Sequence, residues 1–251
     1  MVYIIGAGPG DPELITVKGL RLLAGADVVI YAGSLVNPEL LKNCRPGAEI
    51  HNSAGMTLDE VLEVIRHARL EGKTVARLHT GDPALYGAIQ EQMDALKEND
   101  IPFEVIPGVS SFFAAAAAVP HELTLPGVTQ TVILTRMEGR TPVPEREKLA
   151  SLASHRSTMC IFLSVQQIEE VVDQLITGGY QPETPVVVVE KASWPEQRLL
   201  RGELQNIAGL VKAAGITKTA LIMVGDVFGA EYDRSKLYDP GFSHGYRKAE
   251  G

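Results

Sequence analysis

The strongest constraint on the fold is an alternation, repeated along the whole chain, of short β-rich runs and segments with helical periodicity. This alternation is typical of α/β proteins, in which helices cover both faces of parallel sheets. The predicted strands cover residues 2–5, 28–31, 75–79, 103–106, 131–135, 159–163, 186–189 and 220–224.

Two helices are well marked between these strands. Thr57 and Glu60 form a capping box ahead of an apolar helical face, and Gly72 follows the end of that face. The same apolar spacing begins at Ile168 and stops before Gly178. We predict a helix in each place.

The predicted strands are too many for one compact domain, and a chain of 251 residues is long enough for two. The alanine run 114–118 ends at Pro120, and a turn-rich segment follows. We therefore predict an N-terminal α/β domain over residues 1–117 and a C-terminal α/β domain over 118–230. Residues 231–251 lack periodicity and are predicted to form a tail over a surface.

Composition excludes several classes of protein. With 45% hydrophobic and 22% charged residues, the chain can bury a core that offsets the entropy of folding, which excludes disorder. No apolar run reaches the roughly 18–20 residues of a membrane span, and the N-terminus lacks a signal-peptide pattern, so we expect a soluble, cytoplasmic protein. The formal net charge of −8 argues against a nucleic-acid partner.

Cysteine and histidine positions give no sign of a metal site. Cys44 and Cys160 lie far apart and outside any C-x-x-C motif, which also excludes a disulfide framework. The histidines show no ligand spacing, and the His121-Glu122 pair lacks the second histidine of H-E-x-x-H. We predict no metal site.

The first predicted strand runs into Gly6-Ala7-Gly8-Pro9-Gly10-Asp11-Pro12, which resembles a phosphate-binding loop only at first sight. In G-x-G-x-x-G the third glycine would fall at position 11, where Asp11 places a negative charge against a pyrophosphate. The segment Gly72-Lys73-Thr74 lacks the first P-loop glycine, because position 67 is His67. Neither a Rossmann dehydrogenase nor a P-loop NTPase is supported.

Four unusual turns follow predicted strands of the first half, at residues 6–12, 32–34, 79–83 and 107–111. Since the carboxyl ends of parallel strands share one edge of a sheet, these turns predict a ligand site there. The repeated Gly-Asp-Pro tripeptide leaves two interpretations open: its aspartates only begin helices, or they also face the ligand. Glycine backbone beside carboxylates suits a cationic ligand with hydroxyls and no phosphate, such as S-adenosyl-L-methionine.

At these turns the chain resembles the tetrapyrrole methylase family, the class III methyltransferases that use S-adenosyl-L-methionine. The family-wide segments are GAGPGD at 6–11 and GDPALY at 81–86. Further segments resemble the branch that methylates carbon 11 of precorrin-4 or cobalt-precorrin-4 in cobalamin biosynthesis: YAGSLV at 31–36, SAGM at 53–56, EGRTPVPE at 138–145 and RSKLY at 234–238. The resemblance implies two α/β domains with a cleft between them for the macrocycle, a homodimer, and S-adenosyl-L-homocysteine as product.

The resemblance also implies which residues contact the cofactor. In the first half these are Pro9, Thr80, Gly81, Asp82, Leu85, Ser110 and Ser111. In the second half, matched only by strand position, they are Leu163, Val187 and Ala220.

Methyl transfer from a sulfonium needs no acid for its leaving group, because the thioether departs neutral. Orientation of the two reactants can therefore supply most of the acceleration, and a catalytic triad is not expected. A proton must still leave or move within the macrocycle. Asp82, His79 and Tyr86 are weak candidates for handling it, the sequence does not choose between them, and a structural role explains each of them well.

The implied substrate is a polycarboxylate, and any cobalt belongs to it. Arg136 and Arg140 are candidates for binding its carboxylates, although both are equally explained as solvated surface cations. Met56 and Met137 are candidates for its flat face, although buried methionines usually fill gaps in a core. A second group of cations surrounds Trp194, namely Lys191, Arg198 and Arg201.

Two other functions stay open. One is another methyltransferase of the same fold, acting on uroporphyrinogen, another precorrin, RNA or a modified protein histidine, although acidity argues against RNA. The other is a non-catalytic module that binds S-adenosyl-L-methionine. Addition of one methyl group to precorrin-4 would distinguish the enzyme from the binding module.

Overall fold

The computed structural model describes residues 1–33 and 35–249. The chain divides into two compact units: unit 1 comprises Met1–Ala115 together with Lys191–Gln197, and unit 2 comprises Ala116–Glu190 together with the chain from Arg198. The predicted contiguous domains 1–117 and 118–230 differ from this division at the segment Lys191–Gln197. That segment lies inside the predicted second domain but packs with unit 1.

Unit 1 is built on a parallel sheet. Its elements are β1 (Val2–Gly6), α1 (Val17–Gly25), β2 (Val28–Tyr31), β3 (Glu49–Asn52), α2 (Leu58–Leu70), β4 (Val75–His79), α3 (Gln90–Glu98), β5 (Phe103–Ile106) and α4 (Ser111–Ala118), which runs past the division between the units. The strand order is β3-β2-β4-β1-β5, and every pairing is parallel. Because β1 lies between β4 and β5, the turns that follow these three strands are neighbours.

The residues of unit 1 form its elements for local reasons. Thr57 and Glu60 form the predicted capping box, in which the Thr57 amide donates to the Glu60 carboxylate at 2.6 Å. Residues alternate between two apolar clusters along β1 and β2. Ile4 packs on the face toward α2, whereas Ile5 packs with Leu23 of α1. The sheet is therefore buried on both faces.

Unit 2 is built on a mixed sheet. Its elements are β6 (Val132–Arg136), α5 (Leu149–Ala153), β7 (Thr158–Phe162), α6 (Ile168–Thr177), β8 (Pro185–Glu190), β9 (Arg198–Glu203), α7 (Leu204–Ala213) and β10 (Ala220–Val224). The strand order is β6-β7-β10-β8-β9, in which only β6 and β7 pair in parallel. Helices α6 and α7 contribute Val171, Leu175 and Ile207 to its apolar core.

The predicted α/β class, the two-domain organisation and the helix beginning at Ile168 are confirmed. The expectation of parallel strands in the second half is wrong for all but one pair. Strands β8 and β9 are joined by the short segment Lys191–Gln197, whereas a parallel crossover needs roughly a dozen residues or more. The sequence patterns also missed β3 and β9, which are the edge strands of their sheets. β3 is largely exposed and polar, and β9 is charged at three of its six positions.

Within residues 1–33 and 35–249, no helix combines the length and the apolar content that crossing a bilayer requires.

Candidate functional site

Three glycine turns meet at the carboxyl edge of the unit 1 sheet. The Gly81 amide donates to the Gly8 carbonyl at 2.7 Å, and the Gly8 amide donates back to the Gly81 carbonyl at 3.3 Å. A Cβ built on Gly108 would lie 2.2 Å from the Gly81 carbonyl oxygen, and one on Gly6 would lie 2.6 Å from Gly108 Cα. Glycine is therefore required at these positions by the close approach of one main chain to another.

The fourth predicted turn, which follows β2, is held by the end of β3. The Gly33 amide donates to Asn52 Oδ1 at 3.2 Å, and a Cβ on Gly33 would lie 2.2 Å from that oxygen. Ser34, the last residue predicted for this turn, lies outside the described residues.

The two aspartates of the Gly-Asp-Pro tripeptides have different roles. Asp11 Oδ1 accepts from the Glu13 amide at 2.9 Å and caps a short 3-10 helix, as the first interpretation predicted. Asp82 Oδ1 accepts from the Ala84 amide at 2.8 Å, while its Oδ2 accepts from the Gly108 amide at 2.9 Å. Asp82 thus joins the turn after β4 to the turn after β5.

The turn that follows Asp82 contains strained backbone. Tyr86 and Ala88 have φ angles of 57° and 48°, in the left-handed region that non-glycine residues avoid. Tyr86 is 44% exposed. Strain of this kind, next to a convergence of glycine turns, is typical of ligand-binding sites.

His79, the last residue of β4, is buried, and its Nε2 has no hydrogen-bond partner within the described part of the chain. Burial, and after it the charge of Arg77, lower the pKa of His79 to about 3. The imidazole is therefore neutral at pH 7 and a weak base.

Arg77 is a buried charge that the sequence patterns did not single out. Its Nη1 donates to Ser53 Oγ at 2.9 Å, and its Nε donates to Gln92 Oε1 at 3.4 Å. Burial lowers the pKa of the guanidinium to about 10, so it keeps its charge at neutral pH. Among residues 1–33 and 35–249 it makes no ion pair, which leaves an uncompensated cation beside His79. The only sequence signal was a charged residue inside a strand that otherwise reads as buried.

The structure brings together the cofactor-contact residues predicted for the first half. Pro9 and Thr80 adjoin the paired Gly8 and Gly81, and Ser110 is buried just after Gly108. The other members, Leu85 and Ser111, follow in the strained turn and at the start of α4.

The three residues predicted for the second half lie in different environments. Leu163 directly follows β7 with a φ of 55°, and its side chain is 73% exposed. Val187 lies inside β8 and is 2% exposed, so packing occupies its side chain. Ala220 begins β10, where it pairs with Glu190.

The candidate substrate residues also differ in their surroundings. The Arg136 guanidinium donates to the carbonyls of Met137, Thr141 and Pro142, which fixes the turn after β6, whereas Arg140 is exposed in that turn. Met137 is buried in the core of unit 2, and Met56 packs against the core of unit 1. Both methionines therefore have a packing role.

Comparison with known proteins gives a consistent result. Residues 1–208 match the family of Tetrapyrrole (Corrin/Porphyrin) Methylases. The chain is 59% identical over 249 residues to a cobalt-precorrin-4 C(11)-methyltransferase of Methanocaldococcus jannaschii, covering 99% of this chain and 96% of that relative. It is 47% identical over 250 residues to a precorrin-4 C(11)-methyltransferase of Pseudomonas aeruginosa, covering 99% of both.

Solved structures give the same match. An X-ray structure of a cobalt precorrin-4 methyltransferase has a TM-score of 0.89 at 52% identity, covering 91% of this chain and 96% of that one. A uroporphyrin-III C-methyltransferase of Thermus thermophilus, complexed with S-adenyl homocysteine, has a TM-score of 0.76 at 31% identity, covering 91% and 93%.

Proposed function

Because the chain belongs to the tetrapyrrole methylase family, we propose that it transfers a methyl group from S-adenosyl-L-methionine to carbon 11 of precorrin-4 or cobalt-precorrin-4 in cobalamin biosynthesis. The observation that carries the proposal is the 59% identity, over 99% of the chain, to a relative named for this reaction.

The turns of unit 1 fit this methyl donor. Glycine at positions 6 and 108 lets the main chains of these turns approach closely, and Gly81 supplies a positive φ of 62°. The turns thereby offer backbone amides and carbonyls to hydroxyls and to an adenine edge. The carboxylates of Asp11 and Asp82 lie on the same turns, and their negative charge suits a sulfonium and an ammonium group better than a diphosphate.

When bound, the donor supplies a methyl carbon on a cationic sulfur that leaves as a neutral thioether. Because this thioether needs no protonation, the chain's task is to hold both reactants in line and to exclude water. Pro9, Thr80, Gly81, Leu85 and Ser110 are the proposed donor contacts in unit 1, together with Ser111. Leu163 is the proposed contact in unit 2, because its exposed apolar side chain is held on strained backbone.

The three candidates for handling the substrate proton differ in access. Asp82 is engaged by two amides, and His79 is buried with a depressed pKa. Tyr86, which is 44% exposed in the strained turn, is the candidate that the geometry favours. For binding the substrate carboxylates, the exposed Arg140 is favoured over Arg136, because the Arg136 guanidinium donates to carbonyls of the turn after β6.

The test is incubation of the purified chain with ¹³C-methyl-labelled S-adenosyl-L-methionine and either precorrin-4 or cobalt-precorrin-4. We expect one labelled methyl group on the macrocycle, placed at carbon 11 by NMR. Uroporphyrinogen III serves as the control substrate. Preferential methylation of uroporphyrinogen, or donor binding without turnover on any of the three, would contradict the proposal.

We also propose that the protein acts as a homodimer in the cytoplasm, as the family resemblance implies. Light scattering of the purified chain and fractionation of the native cell test these two points.

A further inference from the structure

The segment Lys191–Gln197 packs with unit 1 although it connects two strands of unit 2. It has a defined internal structure: the Trp194 amide donates to the Lys191 carbonyl at 2.9 Å, and the Ser193 amide donates to Gln197 Oε1 at 2.8 Å. Lys191 and Ser193 both have positive φ angles, of 48° and 70°. Such backbone is maintained only where surrounding contacts hold it.

These contacts are made with the glycine turn that follows β1. The Trp194 indole Nε1 donates to the Pro9 carbonyl at 2.9 Å, and Ser193 Oγ accepts from the Asp11 amide at 3.0 Å. Both hydrogen bonds are made to main-chain groups of the turn. They therefore fix its path, whatever its side chains are.

Between these two bonds the indole lies against Gly10. A Cβ on Gly10 would lie 2.1 Å from Trp194 Cδ1 and 2.2 Å from its Nε1. The Gly10 carbonyl is held separately by the buried side chain of Asn37, whose Nδ2 donates to it at 2.8 Å. The residues Pro9, Gly10 and Asp11 are thus each held through the main chain by a side chain from elsewhere.

We propose that Ser193 and Trp194 are positioning residues for the methyl donor. By holding the Pro9–Asp11 turn they fix the adjoining Gly8, which pairs with Gly81 at the convergence of the three turns. The inference rests on the proposed function, since it takes these turns to be the donor site. The two residues act through the turn, so their loss weakens donor binding and leaves the methyl-transfer step itself intact.

The first test separates donor affinity from turnover. Trp194→Phe keeps an aromatic ring against Gly10 and removes the N–H donor, and Ser193→Ala removes the acceptor of the Asp11 amide. A lost hydrogen bond corresponds to roughly a three- to tenfold change in an equilibrium constant. We expect each variant to raise the Michaelis constant for the donor, and the dissociation constant of S-adenosylhomocysteine, by about that factor. The kcat at saturating donor and the Michaelis constant for the tetrapyrrole should stay within about twofold of native.

Ser193→Asn keeps a side-chain acceptor and tolerates the positive φ of this position, so it should lose less donor affinity than Ser193→Ala. A drop in thermal stability with unchanged donor affinity would overturn the proposal, because it would give the segment a purely structural role. A fall in kcat with unchanged donor affinity would overturn it as well. Failure of the native protein to bind S-adenosylhomocysteine would refute the proposed function, whereas equal binding by native and variant proteins would refute only the positioning role of Ser193 and Trp194.

A double-mutant cycle tests the contact with Gly10 itself. Gly10→Ala places a methyl group where the indole lies and should weaken S-adenosylhomocysteine binding by about tenfold or more. In a Trp194→Ala background the same substitution should add less than about twofold, since the clash is gone. Gly209→Ala, whose Cβ would meet nothing within 4 Å, is the matched control. Additive effects of Gly10→Ala and Trp194→Ala would contradict the proposed contact.

The sequence contains 1 tryptophan, so indole fluorescence reports this contact alone. Titration with S-adenosylhomocysteine should change the Trp194 emission with the same midpoint that calorimetry gives. An emission unchanged at donor saturation would mean that the indole does not sense the donor site, and the proposal would fail.

Discussion

The sheets of the two units differ in strand direction. Within each unit, this direction determines whether the predicted site residues lie together at one edge of the sheet. In unit 1 all strands are parallel, so their carboxyl ends share one edge and the turns after β1, β4 and β5 touch. In unit 2 only one pair is parallel, and the predicted residues range from the exposed Leu163 to the buried Val187. Candidates in unit 1 should therefore respond to mutation as a group, whereas those in unit 2 should respond independently.

The largest expected effect is that of Gly108→Ala in the unit 1 turns. The new Cβ would lie 2.2 Å from the Gly81 carbonyl oxygen, a main-chain atom that cannot rotate away. We expect a loss of roughly 3 kcal/mol, divided between stability and donor binding. If all of it appeared in binding, S-adenosylhomocysteine affinity would fall about a hundredfold. Urea denaturation and calorimetry measure the two parts, with Gly209→Ala of unit 2 as control. Native values for both would show that the turns do not meet.

The next largest effect is a pH dependence of stability in unit 1. Because the pKa of His79 is lowered from 6.5 to about 3 on folding, the unfolded chain binds the additional proton between these values. The free energy of unfolding should therefore fall as pH drops from about 6.5 toward about 3.

Trp194 fluorescence during urea denaturation at several pH values measures the unfolding of unit 1. Comparison with His79→Asn separates the contribution of the imidazole from that of the carboxylates. In this variant the free energy of unfolding should depend less steeply on pH. Identical slopes for the two proteins would mean that His79 titrates normally in the folded state.

A smaller effect is expected for Asp82→Ala. Removing the carboxylate leaves the Ala84 and Gly108 amides without this acceptor and separates two turns of the site. We expect about tenfold weaker binding of S-adenosylhomocysteine, since hydrogen bonds to a charged group contribute roughly 1.5–3 kcal/mol. The kcat at saturation should change little. Asp239→Ala removes a similar local bond in unit 2, to the Gly241 amide, and should leave donor binding unchanged.

The smallest effects should distinguish the candidates of unit 2 from one another. Leu163→Ala should raise the Michaelis constant for the donor by about threefold without loss of stability, because its exposed side chain packs little. Val187→Ala should lower stability by roughly 1–3 kcal/mol and leave the donor constant unchanged, because its side chain is buried in the sheet. If both variants changed the donor constant and stability in the same way, the expectation that the unit 2 candidates respond independently would be wrong.

Much of unit 1 could be predicted from the sequence, because its signals are local. Buried parallel strands read as apolar runs, the Thr57 capping box marks α2, and the glycine turns stand out by composition. The edge strands β3 and β9 were missed, because charged and polar residues interrupt their apolar pattern. The sequence indicated the buried charge of Arg77 only weakly, through one charged residue in an apolar strand. It indicated the contact of Trp194 with the turn after β1 more weakly still, since tryptophan is common in cores.

By itself the sequence determined where the apolar strands and the helices α2 and α6 form, and which family motifs the turns carry, because propensity, capping and apolar periodicity act over a few residues. Only the tertiary structure decided strand direction in unit 2, the pairing of Gly8 with Gly81, and the attachment of Trp194 to Pro9, which is 185 positions away. These features depend on contacts between segments that folding alone brings together, and no local pattern encodes them.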